Sequence, residues 1–485
     1  MSGATAVPPA RRLSVGTMGA YGFGAAAYGV KDSGFGTFLL LFYNQAVGLP
    51  PTEVGLVVMC ALLVDALVDP AVGFFSDRTR GRWGRRHPWL YASAIPIAVG
   101  WLLLWNPPVM SHNATLLWLF VTAVVVRSAV SCYEVPAAAL TPELSADYDE
   151  RTRINAYRYL FGWAGGLIML LSAYIFFLKP NPATAPREGF LHMAIAGAVF
   201  MLVAVFVSAI GTHREIRNLP KPEIARQSLR ANLGEMIATV KNRAFLILMI
   251  AGIAAYTNQG ISYALSNYIY SYVWGITGWS FVWVTLALFV GVVGAFVIAP
   301  RVGRNGAKHK LAALFVVFGA LCTATPFVLR LVGLFPPPGS AMLIPLLMLT
   351  YILSNIGTVT ALILCASMAA DVTEDSEART GRRSEGVFSS GWFFVQKCTS
   401  GIGIFFAGRI LALATFPVVA KPGAVPVGAI DRLTIIYAGC YVGLAVIAAA
   451  TLLRFPFGRA EHEARLARLT TSGGDSPIPG PNIEG

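Results

Sequence analysis

The sequence predicts an all-helical polytopic membrane protein whose twelve transmembrane helices form two six-helix bundles. Of its 485 residues, 56% are hydrophobic and 13% are charged, whereas about one quarter of the residues of a soluble domain are charged. Apolar segments of about 20 residues, the length that crosses a hydrocarbon layer of about 30 Å, follow one another along the chain. A polar segment at 213–243 divides them into six and six.

Each predicted span is an apolar run bounded by polar or turn-forming residues. Before the polar segment the spans lie at about 15–45, 52–76, 88–106, 114–140, 154–178 and 188–212. After it they lie at about 244–272, 275–299, 311–333, 341–369, 386–416 and 432–454. Several spans are long and rich in glycine, which permits close helix contact but loosens a helix, so we expect tilted or broken helices.

The polar segment and the two ends complete the domain organisation. We predict one bundle at 15–212, a central cytoplasmic loop at 213–243 and a second bundle at 244–454. Within the loop, "LGEMIATVKNRAF" fits either an amphipathic helix on the membrane surface or a flexible linker. Residues 1–14 are predicted to be a cytoplasmic N-terminus. The tail at 455–485 is rich in Gly, Pro and Ser and is expected to be disordered.

The basic residues predict the orientation. Most of the 37 Lys and Arg residues fall in loops on one side, with dense groups at 78–86 and 214–243. The opposite loops hold only Lys179, Arg187, Lys421 and Arg432. This positive-inside pattern predicts a plasma (inner) membrane protein with both termini in the cytoplasm. The net charge of +13 then reflects topology and contact with anionic membrane lipid, and it requires no nucleic-acid partner.

Cysteine and histidine usage gives no sign of catalysis. The six cysteines lie in predicted spans without paired spacing, which is typical of small buried hydrophobic residues rather than of disulfides or metal ligands. The histidines are scattered, and no metal site is predicted. No nucleophile lies beside a base, and no extramembrane domain is large enough to sense a ligand. An enzyme or receptor is therefore not expected, and the first apolar segment lacks a signal-peptide cleavage site and should remain as a helix.

Ionisable residues inside the spans are the strongest functional signal. A charge at the bilayer centre costs about 2.5–3.5 kcal/mol, so such residues face a cavity or a partner. Asp65 and Asp69 lie four residues apart on one helix face, and two carboxylates this close need a cation, a proton or a basic partner. They predict a cation site. The other ionisable residues of the spans are Asp32, Glu134, Lys31, Arg127, Arg158, Lys397 and Arg409.

Each of these charges also has a structural interpretation. Asp65 and Asp69 could be paired with Lys397 for packing alone. Arg127 shares a helical stripe with Ser131 and Glu134 and could simply hold helices together by pairing with an acid or a carbonyl, as could Arg409. The long side chain of Lys31 could reach out to the membrane interface. These alternatives remain open from the sequence.

A loop motif follows the carboxylate pair. The stretch "GFFSDRTRGR" matches the G-x-x-x-D-R-x-x-G-R pattern found between the second and third helices of major facilitator proteins. It predicts a latch in which Gly73 permits close helix approach and Asp77 caps a helix or bonds a basic neighbour, with Arg78, Gly81 and Arg82 completing the motif. The alternative is a solvated basic loop that serves orientation only.

Several separated motifs resemble one family, the glycoside-pentoside-hexuronide:cation symporters of the major facilitator superfamily, of which melibiose permease is a member. The motifs are "YGFGAAAYGVKD" at 21–32, "DALVDP" at 65–70, "RGRWGRRHPW" at 80–89, "YEVPAAALTPELSADYDERTRINAYR" at 133–158 and "MAADVTEDSEARTGRRSEGVFSSGWFFVQK" at 368–397. The match covers most of the chain.

The resemblance implies roles for the charged residues. Asp65 and Asp69 resemble the family's cation carboxylates, Ser131 a hydroxyl ligand of the cation, and Lys397 a lysine that lies near both sites and couples them. Asp32, Glu134 and Arg158 resemble the sugar-binding charges. We add Lys31 and Trp392 to the candidate substrate-binding residues.

Two departures from the family pattern affect these expectations. Val68 stands where sodium-using members often have Asn, which removes an oxygen ligand and favours proton over sodium coupling. Ala138 aligns with a Trp that stacks on the sugar ring in melibiose permease. Trp392 or Tyr133 could substitute as a stacking surface, but each could equally be a packing residue. The identity of the sugar stays open.

The sequence thus predicts a secondary transporter that moves a sugar or glycoside together with H⁺ or Na⁺ by alternating access. Its expected partners are that small solute and membrane lipid, and no cofactor is expected beyond the coupling cation. We expect a monomer. The alternative keeps the same fold but carries a lysolipid or another amphiphilic solute, because relatives with similar charges are thought to do so.

Overall fold

The structure is a computed structural model that describes residues 13–145, 147–218, 243–303, 307–380 and 385–456. All regular secondary structure in these ranges is helical, as the fold class predicts. Three parts of the predicted organisation lie largely outside the described residues. They are residues 1–12 of the predicted N-terminus at 1–14, most of the central loop with its possible surface helix, and residues 457–485 of the predicted tail at 455–485.

The helices follow the predicted spans closely. In the N-terminal half, up to residue 218, they are α1 (Val15–Phe23), α2 (Ala25–Ser33), α3 (Leu39–Leu41), α4 (Pro51–Arg78), α5 (His87–Trp105), α6 (His112–Leu144), α7 (Tyr148–Ser172) and α8 (Arg187–His213). In the C-terminal half, from residue 243, they are α9 (Arg243–Tyr268), α10 (Ser280–Gly303), α11 (Lys308–Leu331), α12 (Leu343–Thr380), α13 (Glu385–Leu413) and α14 (Val427–Leu452).

Ten helices in the described part of the chain are long and apolar enough to cross a membrane, judged by length and composition. The two remaining predicted spans are helical as well. The first is divided into α1, α2 and α3, with π-helical turns at Gly34–Phe38 and Phe42–Ala46, so the expected break in a glycine-rich span is present. In the other, α13, the charges of Lys397 and Arg409 interrupt the apolar run.

Glycines bring some of these helices into backbone contact. A Cβ atom added at Gly29 of α2 would lie 1.9 Å from the carbonyl oxygen of Gly162 in α7. A Cβ atom at Gly408 of α13 would lie 2.3 Å from the carbonyl oxygen of Pro51 in α4. Small residues let helix backbones approach in this way, and membrane proteins use them at helix interfaces. The second contact joins the two halves, since α4 and α13 pack along each other.

Polar contacts between the halves close one end of the molecule. Asn267 Nδ2 donates to the carbonyl oxygen of Thr37 (3.0 Å), and Tyr174 Oη donates to Asn267 Oδ1 (3.0 Å). Tyr268 Oη donates to Asn44 Oδ1 (2.8 Å). All five residues are buried and lie beside or within π-helical turns at the ends of the first, fifth and seventh predicted spans. We call this group the closed end.

Candidate functional site

Asp65 is the most heavily bonded acid in the interior. It lies on α4 with 2% of its surface exposed. Its Oδ2 accepts hydrogen bonds from Nε (3.0 Å) and Nη2 (2.8 Å) of Arg127, and its Oδ1 accepts one from Ser131 Oγ (3.0 Å). Because Arg127 and Ser131 are one helical turn apart on α6, one face of that helix satisfies the whole carboxylate. Ser131 is thus next to Asp65, as predicted, while Arg127 emerges as its main partner.

Lys397 connects this acid to its neighbour and to the other half of the molecule. Its Nζ lies 2.5 Å from Asp69 Oδ2 and 3.2 Å from Asp65 Oδ2. The carboxylates are on α4 and the lysine is on α13, so the ion pairs cross the interface between the halves. The remaining oxygen, Asp69 Oδ1, is buried without a hydrogen-bond partner among the described residues. The predicted sharing of one helix face by Asp65 and Asp69 therefore holds, and Lys397 contacts both.

Lys31 belongs to the interior and does not reach out to the membrane interface. Its side chain is 3% exposed, and its Nζ lies 3.7 Å from Asp32 Oδ1 and 4.2 Å from the centre of the Tyr28 ring. The snorkelling interpretation of Lys31 is therefore wrong, because α2 turns this side chain inward. Asp32, in contrast, is 51% exposed and borders an open space.

That space is a cavity between the halves. The N-terminal half contributes Tyr28, Asp32 and Arg127, and the C-terminal half contributes Gln259, Tyr263 and Lys397, among other lining residues. Carboxylate, amide, phenol and cationic groups face the cavity beside aromatic rings. A few convergent polar groups among apolar and aromatic walls are typical of small-molecule sites.

Two of these lining residues were missed by sequence reasoning. Gln259 and Tyr263 are on α9, one turn apart, and Gln259 Nε2 donates to Tyr263 Oη (3.1 Å). They carry no charge, so a search for charges within spans passes over them. An uncharged amide inside an apolar run is the signal that would have pointed to Gln259.

Glu134 and Arg158 form a separate pair. Arg158 Nη2 lies 2.6 Å from Glu134 Oε1, and the guanidinium lies 5.7 Å from the centre of the Tyr21 ring. Glu134 Oε2 is buried without a hydrogen-bond partner. Neither residue is among those that line the cavity. The structure thus brings Asp32 to the cavity and joins Glu134 to Arg158 in an ion pair.

The structure describes one of the two side chains considered as stacking surfaces, Tyr133, but not the other, Trp392. Tyr133 is 1% exposed and donates from Oη to Ser208 Oγ (2.8 Å), so it is a core residue, and its interpretation as a stacking surface is wrong. The Trp392 side chain lies outside the described residues. Tyr28 and Tyr263, which line the cavity, offer aromatic rings in their place.

The main contacts at the loop motif are made by a residue outside the motif, Arg86. Buried Arg86 lies 2.5 Å from Asp77 Oδ1 and 3.1 Å from Glu143 Oε1, and it donates from Nη1 to Ser76 Oγ (2.7 Å). Arg85 Nη2 also contacts Glu143 (2.7 Å). Asp77 thus bonds a basic group, as expected. The contacts of Arg86 tie the end of α4 to the end of α6, which is the geometry expected of a latch.

The other motif residues contribute less. The Arg78 guanidinium lies over the Phe74 ring, 3.4 Å from its centre, while Gly81 and Arg82 lie in an exposed turn. A Cβ atom added at Gly73 would lie 3.7 Å from Val135 Cγ1, an ordinary contact. An alanine would therefore fit at this position in the present arrangement of the helices, and the expectation that Gly73 permits close helix approach stays a prediction.

Comparison with known proteins places the chain among transporters. The family model described as MFS/sugar transport protein matches residues 20–459. An uncharacterized symporter of Synechocystis sp., sll1374, is 27% identical over 482 residues, covering 84% of this chain and 87% of the relative. The isoprimeverose transporter of Lactiplantibacillus pentosus is 25% identical over 378 residues, covering 78% of this chain and 75% of that transporter.

A shorter match and a solved structure complete the comparison. The sodium-dependent lysophosphatidylcholine symporter 1 of Xenopus tropicalis is 30% identical over 148 residues, covering 30% of this chain and 28% of that protein. The inward-open structure of the xylose transporter XylE from E. coli superposes with a TM-score of 0.57 at 12% identity, covering 93% of this chain and 98% of XylE, and supports the fold. The chain therefore belongs to the MFS/sugar transport protein family, among the glycoside-pentoside-hexuronide type of symporters in the major facilitator superfamily.

Proposed function

We propose that this chain moves a sugar or glycoside together with a cation, H⁺ or Na⁺, by alternating access. The observation that carries the proposal is the ion pairing of Lys397 with Asp69 and Asp65 across the two halves. A cation that competes with Lys397 for these carboxylates also loosens a contact between the halves. Binding of the cation is thereby linked to the relative movement of the halves, which is the movement that exposes a central site to either side.

The cavity is the proposed sugar site. It lies beside Lys397 and presents Asp32, Gln259 and Tyr263. A carboxylate and an amide can accept hydrogen bonds from sugar hydroxyls, the amide can donate as well, and aromatic rings can pack on the apolar face of a sugar ring. The name of the isoprimeverose transporter, a relative over most of the chain, supports a sugar as the solute.

Cation and sugar are expected to couple reciprocally. If the cation raises sugar affinity by some factor, the sugar must raise cation affinity by the same factor. One chain supplies both sides of the cavity, which supports a monomer as the working unit. The distribution of basic residues supports an inner-membrane location with both termini in the cytoplasm.

Uptake into vesicles tests the proposal. The purified protein is reconstituted and presented with isoprimeverose, xylose and melibiose under an imposed proton gradient, an imposed sodium gradient, or none. We expect uphill accumulation of at least one sugar under one gradient, and its loss when an ionophore dissipates that gradient. Verified insertion without gradient-driven accumulation of any sugar or glycoside would count against the proposal.

The second candidate is a lysolipid. It is favoured by the 30% identity to the lysophosphatidylcholine symporter, although that match covers 30% of this chain. The charged groups of the cavity are better suited to a polyhydroxylated solute than to an acyl chain. Accumulation of lysophosphatidylcholine that sugars do not inhibit would support this candidate, whereas sugar uptake that is indifferent to lysophosphatidylcholine would exclude it.

A further inference from the structure

We infer that Arg127 takes the place of a metal ion at Asp65, so that sodium does not bind at the Asp65–Asp69 pair. The inference rests on the proposed cation coupling and narrows the choice of cation. It begins with the ligands of Asp65. Oδ2 accepts two hydrogen bonds from the Arg127 guanidinium and has the Lys397 ammonium within 3.2 Å, while Oδ1 accepts one from Ser131. Both oxygens that would hold a cation are already bonded.

The fixed position of Arg127 distinguishes it from Lys397. Arg127 is 4% exposed, and its guanidinium lies 5.3 Å from the centre of the Phe35 ring, a distance at which a cation and an aromatic ring attract each other. A guanidinium stays charged under all physiological conditions. Moreover, α4 and α6 belong to the same half and pack together. Arg127 therefore stays beside Asp65 when the halves move relative to each other, whereas Lys397 moves with the opposite half.

Local charge gives a second, independent argument. The carboxylates of Asp32, Asp65 and Asp69 lie among the cations of Lys31, Arg127 and Lys397. The three negative charges are thus matched by three positive ones. A sodium ion that bound here without displacing Arg127 or Lys397 would leave one uncompensated positive charge in a largely buried place, which is costly.

The remaining oxygen ligands are too few. Hard metal cations are held by several oxygen atoms at once. Of the four carboxylate oxygens of the pair, only Asp69 Oδ1 is without a hydrogen-bond partner in the described structure, and the residue before it is the apolar Val68. Even with the Ser131 hydroxyl beside Asp65 as a second oxygen, these ligands are fewer than a hard metal cation needs.

Sodium binding to the purified full chain tests this assignment in the absence of any sugar. Protein in nanodiscs is titrated with ²²Na⁺ and with NaCl against choline chloride, and its melting temperature is recorded. Wild type is expected to show no saturable sodium binding and the same melting temperature in both salts. Arg127→Gln is expected to bind sodium in a saturable manner and to melt at a higher temperature in NaCl than in choline chloride.

Three further variants test whether Arg127 itself is the group that excludes sodium. Val68→Asn alone should not gain sodium binding, because Arg127 is still bonded to Asp65. The double variant Val68→Asn, Arg127→Gln should bind sodium more tightly than the single variant Arg127→Gln. Arg409→Gln removes another arginine of a membrane-spanning helix, one that is exposed on α13, and should behave like wild type.

Several outcomes would overturn the inference. Saturable sodium binding by wild type, or a gain in Val68→Asn alone, would show that Arg127 does not exclude the ion. An Arg127→Gln protein that fails to gain sodium binding, or that stays unfolded even in NaCl, would also count against the inference. Because no sugar is present, these results are independent of whether the chain transports a sugar, and failure of the uptake assay would leave them unaffected.

Discussion

At the scale of single residues, the two carboxylates of α4 have different surroundings. The Asp65 side chain is 1% exposed and bonded at both oxygens, while the Asp69 side chain is 25% exposed and keeps one oxygen without a partner. We therefore expect Asp69→Asn to abolish uphill sugar accumulation but to leave the protein inserted and able to equilibrate the sugar, because Lys397 retains Asp65 as a partner. Reconstituted vesicles under an imposed cation gradient provide the measurement.

A carboxylate elsewhere in the membrane-spanning helices serves as the control for Asp69. Asp431 pairs with Arg330 at 2.8 Å and lies far along the chain from the carboxylate pair. Asp431→Asn should still accumulate sugar against its gradient. Undiminished accumulation by Asp69→Asn would remove Asp69 from the coupling mechanism.

Asp65 should instead determine stability. Asp65→Asn leaves Arg127 as a buried charge without its counterion, and breaking a buried pair in this way costs about 3–5 kcal/mol. We expect its melting temperature to fall well below that of Asp69→Asn. The double variant Asp65→Asn, Arg127→Gln should recover much of the loss, since both charges are removed together. Equal melting temperatures for the single and double variants would mean that the pair contributes no coupling energy.

Asp32 allows a test of the sugar site. It lines the cavity and is half exposed, so its carboxylate can reach a bound solute. A hydrogen bond to a charged group contributes about 1.5–3 kcal/mol, and Asp32→Asn is therefore expected to raise the KM for the transported sugar roughly tenfold or more. The matched variant Glu134→Gln changes an acid that does not border the cavity. A larger rise in KM for Glu134→Gln than for Asp32→Asn would place the sugar at the Glu134–Arg158 pair.

These residues also show what sequence can and cannot predict. The common face of Asp65 and Asp69 follows from helix geometry alone, and the cost of burying a charge predicts a functional role for both. The bond of Asp65 to Arg127 depends on how α4 packs on α6, which no local pattern records. For the same reason the inward direction of Lys31 and the burial of Tyr133 could not be predicted, since both depend on the rotation of a helix about its axis.

At the scale of helices, the apolar runs predicted the spans because each helix must satisfy its own backbone in a bilayer. The π-helical turns at Phe42–Ala46, Ala173–Phe177 and Ile269–Val273 were not predicted. Each of them lies at the closed end or adjoins it. Such turns depend on contacts made after the helices have packed, and they often mark functional positions, so their clustering here agrees with a part of the molecule that must open.

The α2–α7 interface provides a prediction for helix packing. An added Cβ atom at Gly29 would lie 1.9 Å from the Gly162 carbonyl oxygen and 2.7 Å from the backbone nitrogen of Gly166. These are backbone atoms, so the two helices would have to separate. Overpacking typically costs about 1–3 kcal/mol, and we expect Gly29→Ala to lower the melting temperature of the purified protein measurably.

A second glycine provides the control for this interface. Gly19 in α1 has no atom within 4 Å of an added Cβ, and alanine is the better helix former. Gly19→Ala should therefore match or exceed the wild-type melting temperature. If both variants melted at the wild-type temperature, the close approach of α2 and α7 would not contribute to stability.

At the scale of the whole molecule, two kinds of contact hold the halves together. Lys397 pairs with the carboxylates of α4 in the middle of the interface, and uncharged hydrogen bonds join the halves at the closed end. Under the proposed alternating access, both kinds of contact would have to break. The ion pairs would respond directly to a bound cation, whereas the uncharged hydrogen bonds of the closed end would not. We therefore expect these hydrogen bonds to set the basal preference for the arrangement in which this end is closed.

Substitution of Asn267 is expected to weaken the preference for the arrangement in which the closed end is shut. Its side chain is fully buried and bonds both Thr37 and Tyr174 of the other half. Asn267→Ala leaves those partners unsatisfied, at a cost of about 1–3 kcal/mol each, so the population should shift toward molecules in which this end is open. Spin labels on cysteines at the exposed positions 109 and 332, in a background without native cysteines, report the separation by double electron–electron resonance.

The expected result is a longer distance distribution for Asn267→Ala than for wild type, because the two labels lie in loops of opposite halves. Asn355→Ala is the matched control, since Asn355 Nδ2 donates to the carbonyl oxygen of Tyr351 within its own helix and its loss should not move the halves. An unchanged distribution in a folded Asn267→Ala protein would mean that the ion pairs of Lys397 alone hold the closed end together. In that case Lys397→Ala would have to lengthen the same distance.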